Sequence, residues 1–119
     1  MTAQEAIQEA DSLRPNVLDD SQKAEWVYKL DCEIAELMKQ DKPEFVWPDD
    51  SELLMPSPHD DIYPMYLVAM IDFFNQDTAL YQNDMEMFQQ ALDDAKSFYR
   101  RHNNPKDKRN WRTIWDYLT

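Results

Sequence analysis

Apolar residues return at helical spacing in four stretches of this chain. Ala3, Ala6, Ile7, Ala10 and Leu13 follow at steps of three and four residues, which predicts an amphipathic first helix. Thr2 and Glu5 have capping-box spacing, so the threonine hydroxyl can accept from the third amide while the glutamate reaches back. Pro15 ends the helix, because the residue before a proline is pushed away from helical angles. A second helix opens at Asp19-Asp20-Ser21, with Asp19 and Gln22 again at capping-box spacing. Val27, Leu30, Ile34, Leu37 and Met38 form its inner stripe, Trp26 lies at the border, and the helix stops before Pro43.

Periodicity fails between Pro43 and His59. Pro43, Pro48, Pro56 and Pro58 alternate there with Phe45, Val46, Trp47, Leu53, Leu54 and Met55. Apolar residues among prolines predict an extended segment packed on the helices, with a short strand-like piece at Phe45–Trp47. A third helix begins at Asp60 or Asp61, whose carboxylates are expected to cap it, and Pro64 falls in its first turn. From Ile62 to Phe74 nearly every residue is apolar, on all sides of the helix. Such a helix is buried all round, and a domain this small can hardly enclose one alone. Part of it is therefore expected to face another subunit. Tyr63, Met65, Tyr66, Met70 and Phe74 are placed at that outer edge, because Met and Tyr tolerate both burial and exposure.

Asn75-Gln76-Asp77 reads as a tight link, with Asn75 in the left-handed cap position that glycine often takes. The fourth helix runs from Thr78 to His102, with Tyr81, Met85, Phe88, Leu92, Ala95 and Tyr99 as a heptad-like seam. At about 1.5 Å per residue it spans roughly 37 Å, and with helix three it makes an antiparallel hairpin. A basic arm follows, with Trp111, Ile114, Trp115 and Leu118 on one face. The expected fold is all-α: a small helical bundle with a long antiparallel helix hairpin and a Pro-rich extended segment between helices two and three. Residues 1–104 make the helical domain and 105–119 a basic, Trp-containing C-terminal arm.

Composition narrows the function. The chain has 119 residues, room for one core, and no glycine. Without glycine there is no phosphate-cradling loop and no dinucleotide fingerprint. Cys32 is the single cysteine, so no internal disulfide can form; it is expected to be a small, partly buried thiol in a reducing compartment. The N-terminus lacks a signal-peptide layout, and the near-apolar run Ile62–Ile71 is too short to span a bilayer. The expectation is a soluble protein made in a cytoplasm.

The formal charge of −12 is unevenly spread. Residues 1–95 carry 5 basic and 22 acidic side chains, whereas residues 96–112 carry seven basic side chains against Asp107. The acidic body should repel nucleic acid, so no specific nucleic-acid sequence is expected as a partner, and single-stranded nucleic-acid binding by the basic, aromatic tail ranks last among the readings. Arg109, Trp111, Arg112 and Trp115 are instead expected to dock on a neighbouring protein, with basic groups meeting an acidic body.

Groups able to carry chemistry are sparse. Three consecutive side chains at His59-Asp60-Asp61 rarely converge on one ion, His102 is alone in a basic helix end, and Cys32 has no nearby His. The adjacent acids Asp19-Asp20, Asp49-Asp50 and Asp93-Asp94 point in different directions on a helix, and Asp41 to Asp50 lack the spacing of a calcium loop. Met65, Met70, Met85 and Met87 at helical spacing read as core. The expectation is no catalytic residue, no metal and no cofactor.

The run from Leu53 through Pro56, Pro58 and Asp60-Asp61-Ile62-Tyr63, continued by Tyr66-Leu67-Val68-Ala69-Met70-Ile71-Asp72-Phe73, resembles small proteins from the structural gene cluster of tailed bacteriophages and prophages. Thr2–Ile7, Leu13-Arg14-Pro15-Asn16 and Phe98-Tyr99-Arg100-Arg101 are similar as well. The resemblance, over about residues 1–104, is to head–tail connector (adaptor) proteins. It implies a helical, non-enzymatic virion structural protein that forms a ring homo-oligomer beneath the portal and contacts portal and tail-side proteins. Such a ring contact can be weak enough to leave the isolated chain monomeric until a template gathers the subunits. The implied location is the bacterial host cytoplasm during assembly and the virion neck afterwards. The competing reading is a non-viral helical adaptor or regulator that binds one protein partner through the same face.

Overall fold

The computed structural model describes residues 1–44, 47–48 and 52–103, the side chains of residues 102 and 103 excepted. Within these residues the chain is all-α: helices α1 (Ala3–Leu13), α2 (Asp20–Met38), α3 (Ile62–Phe74) and α4 (Thr78–Asn103), with a 3₁₀ turn at His59–Asp61 leading into α3. The expected helical bundle is what forms. The capping box at the start of α1 is complete, since the Glu5 amide donates to Thr2 Oγ1 and the Thr2 amide to Glu5 Oε1. Arg14 closes α1 in an extended conformation, as Pro15 requires.

Two ends differ from expectation. Asp19 precedes α2 and Asp61 precedes α3, yet neither side chain makes a capping hydrogen bond. At α3 the 3₁₀ turn holds Asp61 itself near helical angles rather than in the extended conformation that a capping residue usually takes. The left-handed position after α3 belongs to Gln76 (φ 63°), while Asn75 stays at φ −80°. The Gln76 amide donates to Phe73 O and the Asp77 amide to Asp72 O, a Schellman closure that fixes which residue must have positive φ. Lys39 (φ 55°) performs the same task after α2.

Helix α3 is the centre of the fold and packs against each of the other three helices. It runs antiparallel to α4, whose seam Met85, Phe88, Leu92, Ala95 and Tyr99 is buried or half-buried, with Tyr99 Oη donating to the Met38 carbonyl at the end of α2. Ile7, Val27, Leu30, Ile34, Leu67, Ile71, Phe88 and Leu92 are buried in one cluster. Leu37, expected in that core, is only half-buried, and Trp26, expected at its border, is 6% exposed. The apolar circumference of α3 is therefore covered almost entirely by its own chain. The surplus predicted to need a second subunit shrinks to the C-terminal end, where Phe73 and Phe74 stay about half exposed.

The Pro-rich segment is packed down, as its apolar residues predict. Met55 is fully buried, and Trp47, Leu53 and Leu54 rest against the core. Leu53 N–H donates to the Met1 carbonyl in a single antiparallel bridge between Thr2 and Glu52. Phe45 and Val46, two residues of the expected strand-like piece, lie outside the described residues, as does the arm from residue 104 onward.

Candidate functional site

Buried polar groups come first, because a group without an internal partner marks where a ligand could bind. Asp31 on α2 is 2% exposed and Tyr63 on α3 is fully buried. Tyr63 Oη donates to Asp31 Oδ1 at 2.6 Å and accepts from the Met55 amide at 2.9 Å, while the Leu54 amide donates to the same Asp31 oxygen. Burial raises the Asp31 carboxyl, opposed by these two donors; burial and the adjacent carboxylate push the Tyr63 hydroxyl above its usual range. The knot pins the Pro-rich segment to two helices. Tyr63 is thus not at an outer edge: its hydroxyl is the polar end of a core residue.

Lys23 is 2% exposed and also spoken for. Its ammonium bonds Asp11 at 2.8 Å and Asn16 at 3.1 Å and pairs with Asp20, tying the α1–α2 turn together.

The third cluster is less complete. Arg14 Nε donates to both oxygens of Asp72, at 3.1 and 3.2 Å, and Arg14 Nη2 lies 3.8 Å from Asp84 Oδ2. Both aspartates are buried on facing helices. Burial first, and the Asp72 carboxylate second, push the Asp84 carboxyl up to about 6 against the pull of Arg14. Asp84 Oδ2 is buried with no hydrogen-bond partner.

Asp84 lines a groove of about 430 Å³ where α1, α3 and α4 meet. Leu13, Pro64, Met65 and Met87 supply its apolar walls, with Leu13 and Met87 more than half exposed. Its charged rim and floor are Glu9, Asp61 and Asp84 against Arg14 alone, a surplus of negative charge.

An aromatic corner stands where α3 turns into α4. Phe74 packs on Trp26 (ring centroids 5.2 Å apart) and on Phe73 (5.4 Å), and Phe73 on Tyr81 (5.2 Å). Phe73 is 54%, Phe74 51% and Leu80 38% exposed. A cleft of about 500 Å³ lies between Phe73, Phe74, Gln76, Thr78, Tyr81 and Gln82. Grouped aromatics left half in water are the kind of surface that protein partners cover.

The residues singled out from the sequence do not form one surface. Phe74 belongs to the aromatic corner and Met65 to the acidic groove, while Tyr66, stacked on Phe88 at 5.1 Å, and Met70 are half-buried against the core. Arg109, Trp111, Arg112 and Trp115 lie outside the described residues. Sequence reasoning missed Phe73, Leu13, Arg14 and Asp84, and Met87, read as core, is instead 51% exposed on the groove wall because it lies on the outer side of α4. One signal was available: Asp72 is the single charge inside an otherwise apolar helix, and a charge there demands a buried partner.

Of the groups weighed for chemistry, His59 stacks on Phe98 at 4.6 Å and Cys32 is half-buried. Among the described residues no three His, Cys, Asp or Glu side chains are grouped to hold a metal ion, and no helix is long and apolar enough to cross a membrane. No protein family model, curated protein or solved structure matches this chain.

Proposed function

We propose that this chain is a protein-binding structural subunit, and specifically a head–tail connector (adaptor) of a tailed phage or prophage particle that joins the portal to the tail by protein–protein contacts. The observation that supports it best is the aromatic corner of Phe73, Phe74 and Tyr81 on the α3–α4 hairpin, with both phenylalanines about half exposed. The polar clusters at Asp31 and Lys23 are spent on holding the fold, whereas this corner has side chains to spare. Covering each half-exposed Phe would contribute about 1 kcal/mol, so the corner can anchor a contact without holding an isolated dimer together. The resemblance of the Leu53–Phe73 stretch to phage connector proteins supplies the identity of the partners. The ring forms on the portal in the host cytoplasm and ends in the virion neck.

Co-sedimentation with the matching portal tests the reading. Wild type should pellet with portal, while Phe73→Asp should stay in the supernatant with unchanged helix content and melting temperature. If wild type binds neither portal nor the tail-side protein, the connector reading fails and the corner belongs to a different partner.

A further inference from the structure

The groove between α1, α3 and α4 is finished on its apolar side and unfinished on its polar side. Asp84 Oδ2 lies at its floor with no hydrogen-bond donor: Arg14 spends its Nε on both oxygens of Asp72, and its Nη2 stays 3.8 Å from Asp84 Oδ2, beyond hydrogen-bond distance. A buried carboxylate oxygen without a donor is costly, and a cationic donor from outside would satisfy it. Asp61 and Glu9 at the rim add charge of the same sign, and the exposed Leu13 and Met87 side chains flank them as apolar contacts. The site fits a guanidinium or ammonium group carried beside an aromatic ring.

The chain contains such a segment. Residues 104–119 include Lys106, Lys108, Arg109, Trp111, Arg112 and Trp115. Reach decides whose segment can arrive. From Asn103 back along α4 to Asp84 is 19 residues, roughly 29 Å at 1.5 Å per residue. From 103 to 109 a fully extended chain covers only about 20 Å, and to 112 about 31 Å. An extended arginine side chain adds about 6 Å, so in its own molecule Arg109 still falls just short and Arg112 needs its backbone about three-quarters extended, whereas a second molecule imposes no such limit. We propose that the groove lined by Asp84, Asp61 and Leu13 receives Arg109 or Arg112, with the neighbouring Trp111, from the C-terminal arm of a second copy of this chain. The contact is head-to-tail, so repeating it generates a ring or an open chain rather than a two-fold dimer. This deepens the proposed function, since it rests on self-association of connector subunits and names the site for it.

Three full-length proteins test the contact by sedimentation velocity at low salt: wild type, the groove variant Asp61→Asn/Asp84→Asn, and the arm variant Arg109→Glu/Arg112→Glu. Wild type should self-associate as concentration rises, and each variant alone should do so at least tenfold more weakly. An equimolar mixture of the two variants retains one intact groove and one intact arm. It should give one-to-one pairs that do not grow further. Wild type that stays monomeric, a variant that associates like wild type, or a mixture no better than its components would each overturn the proposal. Portal binding of the same proteins is read separately. Wild type that binds portal while the variants associate normally refutes the groove and keeps the connector; restored pairing without portal binding does the reverse.

Discussion

Tyr63 donates a 2.6 Å hydrogen bond to Asp31 across the α2–α3 interface, and the two side chains together hold the amides of Leu54 and Met55. A segment with four prolines cannot make a regular ladder of its own, so it borrows acceptors from a buried carboxylate and a buried phenol. Tyr63→Phe should therefore leave the Met55 amide without an acceptor and Asp31 one donor short. The expected loss is about 2–3 kcal/mol in urea unfolding, with faster proteolysis around residues 43–58. A loss below about 0.5 kcal/mol would show that the knot does not hold the segment.

The Asp84 carboxyl gives a pH dependence of known sign. Its folded value is pushed up to about 6 from an unfolded value of 3.8, so the folded state binds the extra proton between those limits. Stability from this group is present at low pH and is lost as pH rises through about 6; Asp31, raised in the same direction, adds to the slope. Asp84→Asn removes the titration while keeping the shape. It should be more stable than wild type by on the order of 1–3 kcal/mol at pH 7.5, with the difference shrinking toward pH 4. An equal difference at both pH values would contradict this assignment.

Lys39 and Gln76 occupy left-handed backbone positions in a chain with no glycine. Each stores strain that a residue without a Cβ would release. Lys39→Gly and Gln76→Gly should each raise the unfolding free energy by about 0.5–1 kcal/mol, and the double variant should be additive because the sites share no partner. Chemical denaturation of the four proteins checks both statements.

Much of the architecture was legible because it is local. The capping box at Thr2 and Glu5, the proline stop after Arg14 and the seam from Met85 to Tyr99 are each written within a few turns of helix. The contacts that complete the fold are not local. Arg14 meets Asp72 across 58 residues and Tyr63 meets Asp31 across 32, and spacing within one helix carries no sign of either. The same limit explains the reading of α3. A helix apolar all round is equally suited to the middle of its own bundle or to an interface, and only the placement of α1, α2 and α4 around it decides for the former. Asn75 lost the left-handed position to Gln76 because closure is counted from the last helical carbonyl, not from residue preference.

Replacing Phe88 or Leu30 with Ala tests the core at the places where α4 and α2 enter it. Both side chains are under 5% exposed, so each truncation should cost about 2–5 kcal/mol. Phe73→Ala, at 54% exposure, should cost under about 1 kcal/mol and separate partner binding from folding.

Electron cryomicroscopy of the matching portal incubated with this chain tests the connector reading most directly. The result expected is a ring of helical subunits seated on the portal, with Phe73 and Phe74 of each copy covered by a neighbouring protein. A bare portal, or bound chains whose Phe73 and Phe74 face solvent, would contradict it.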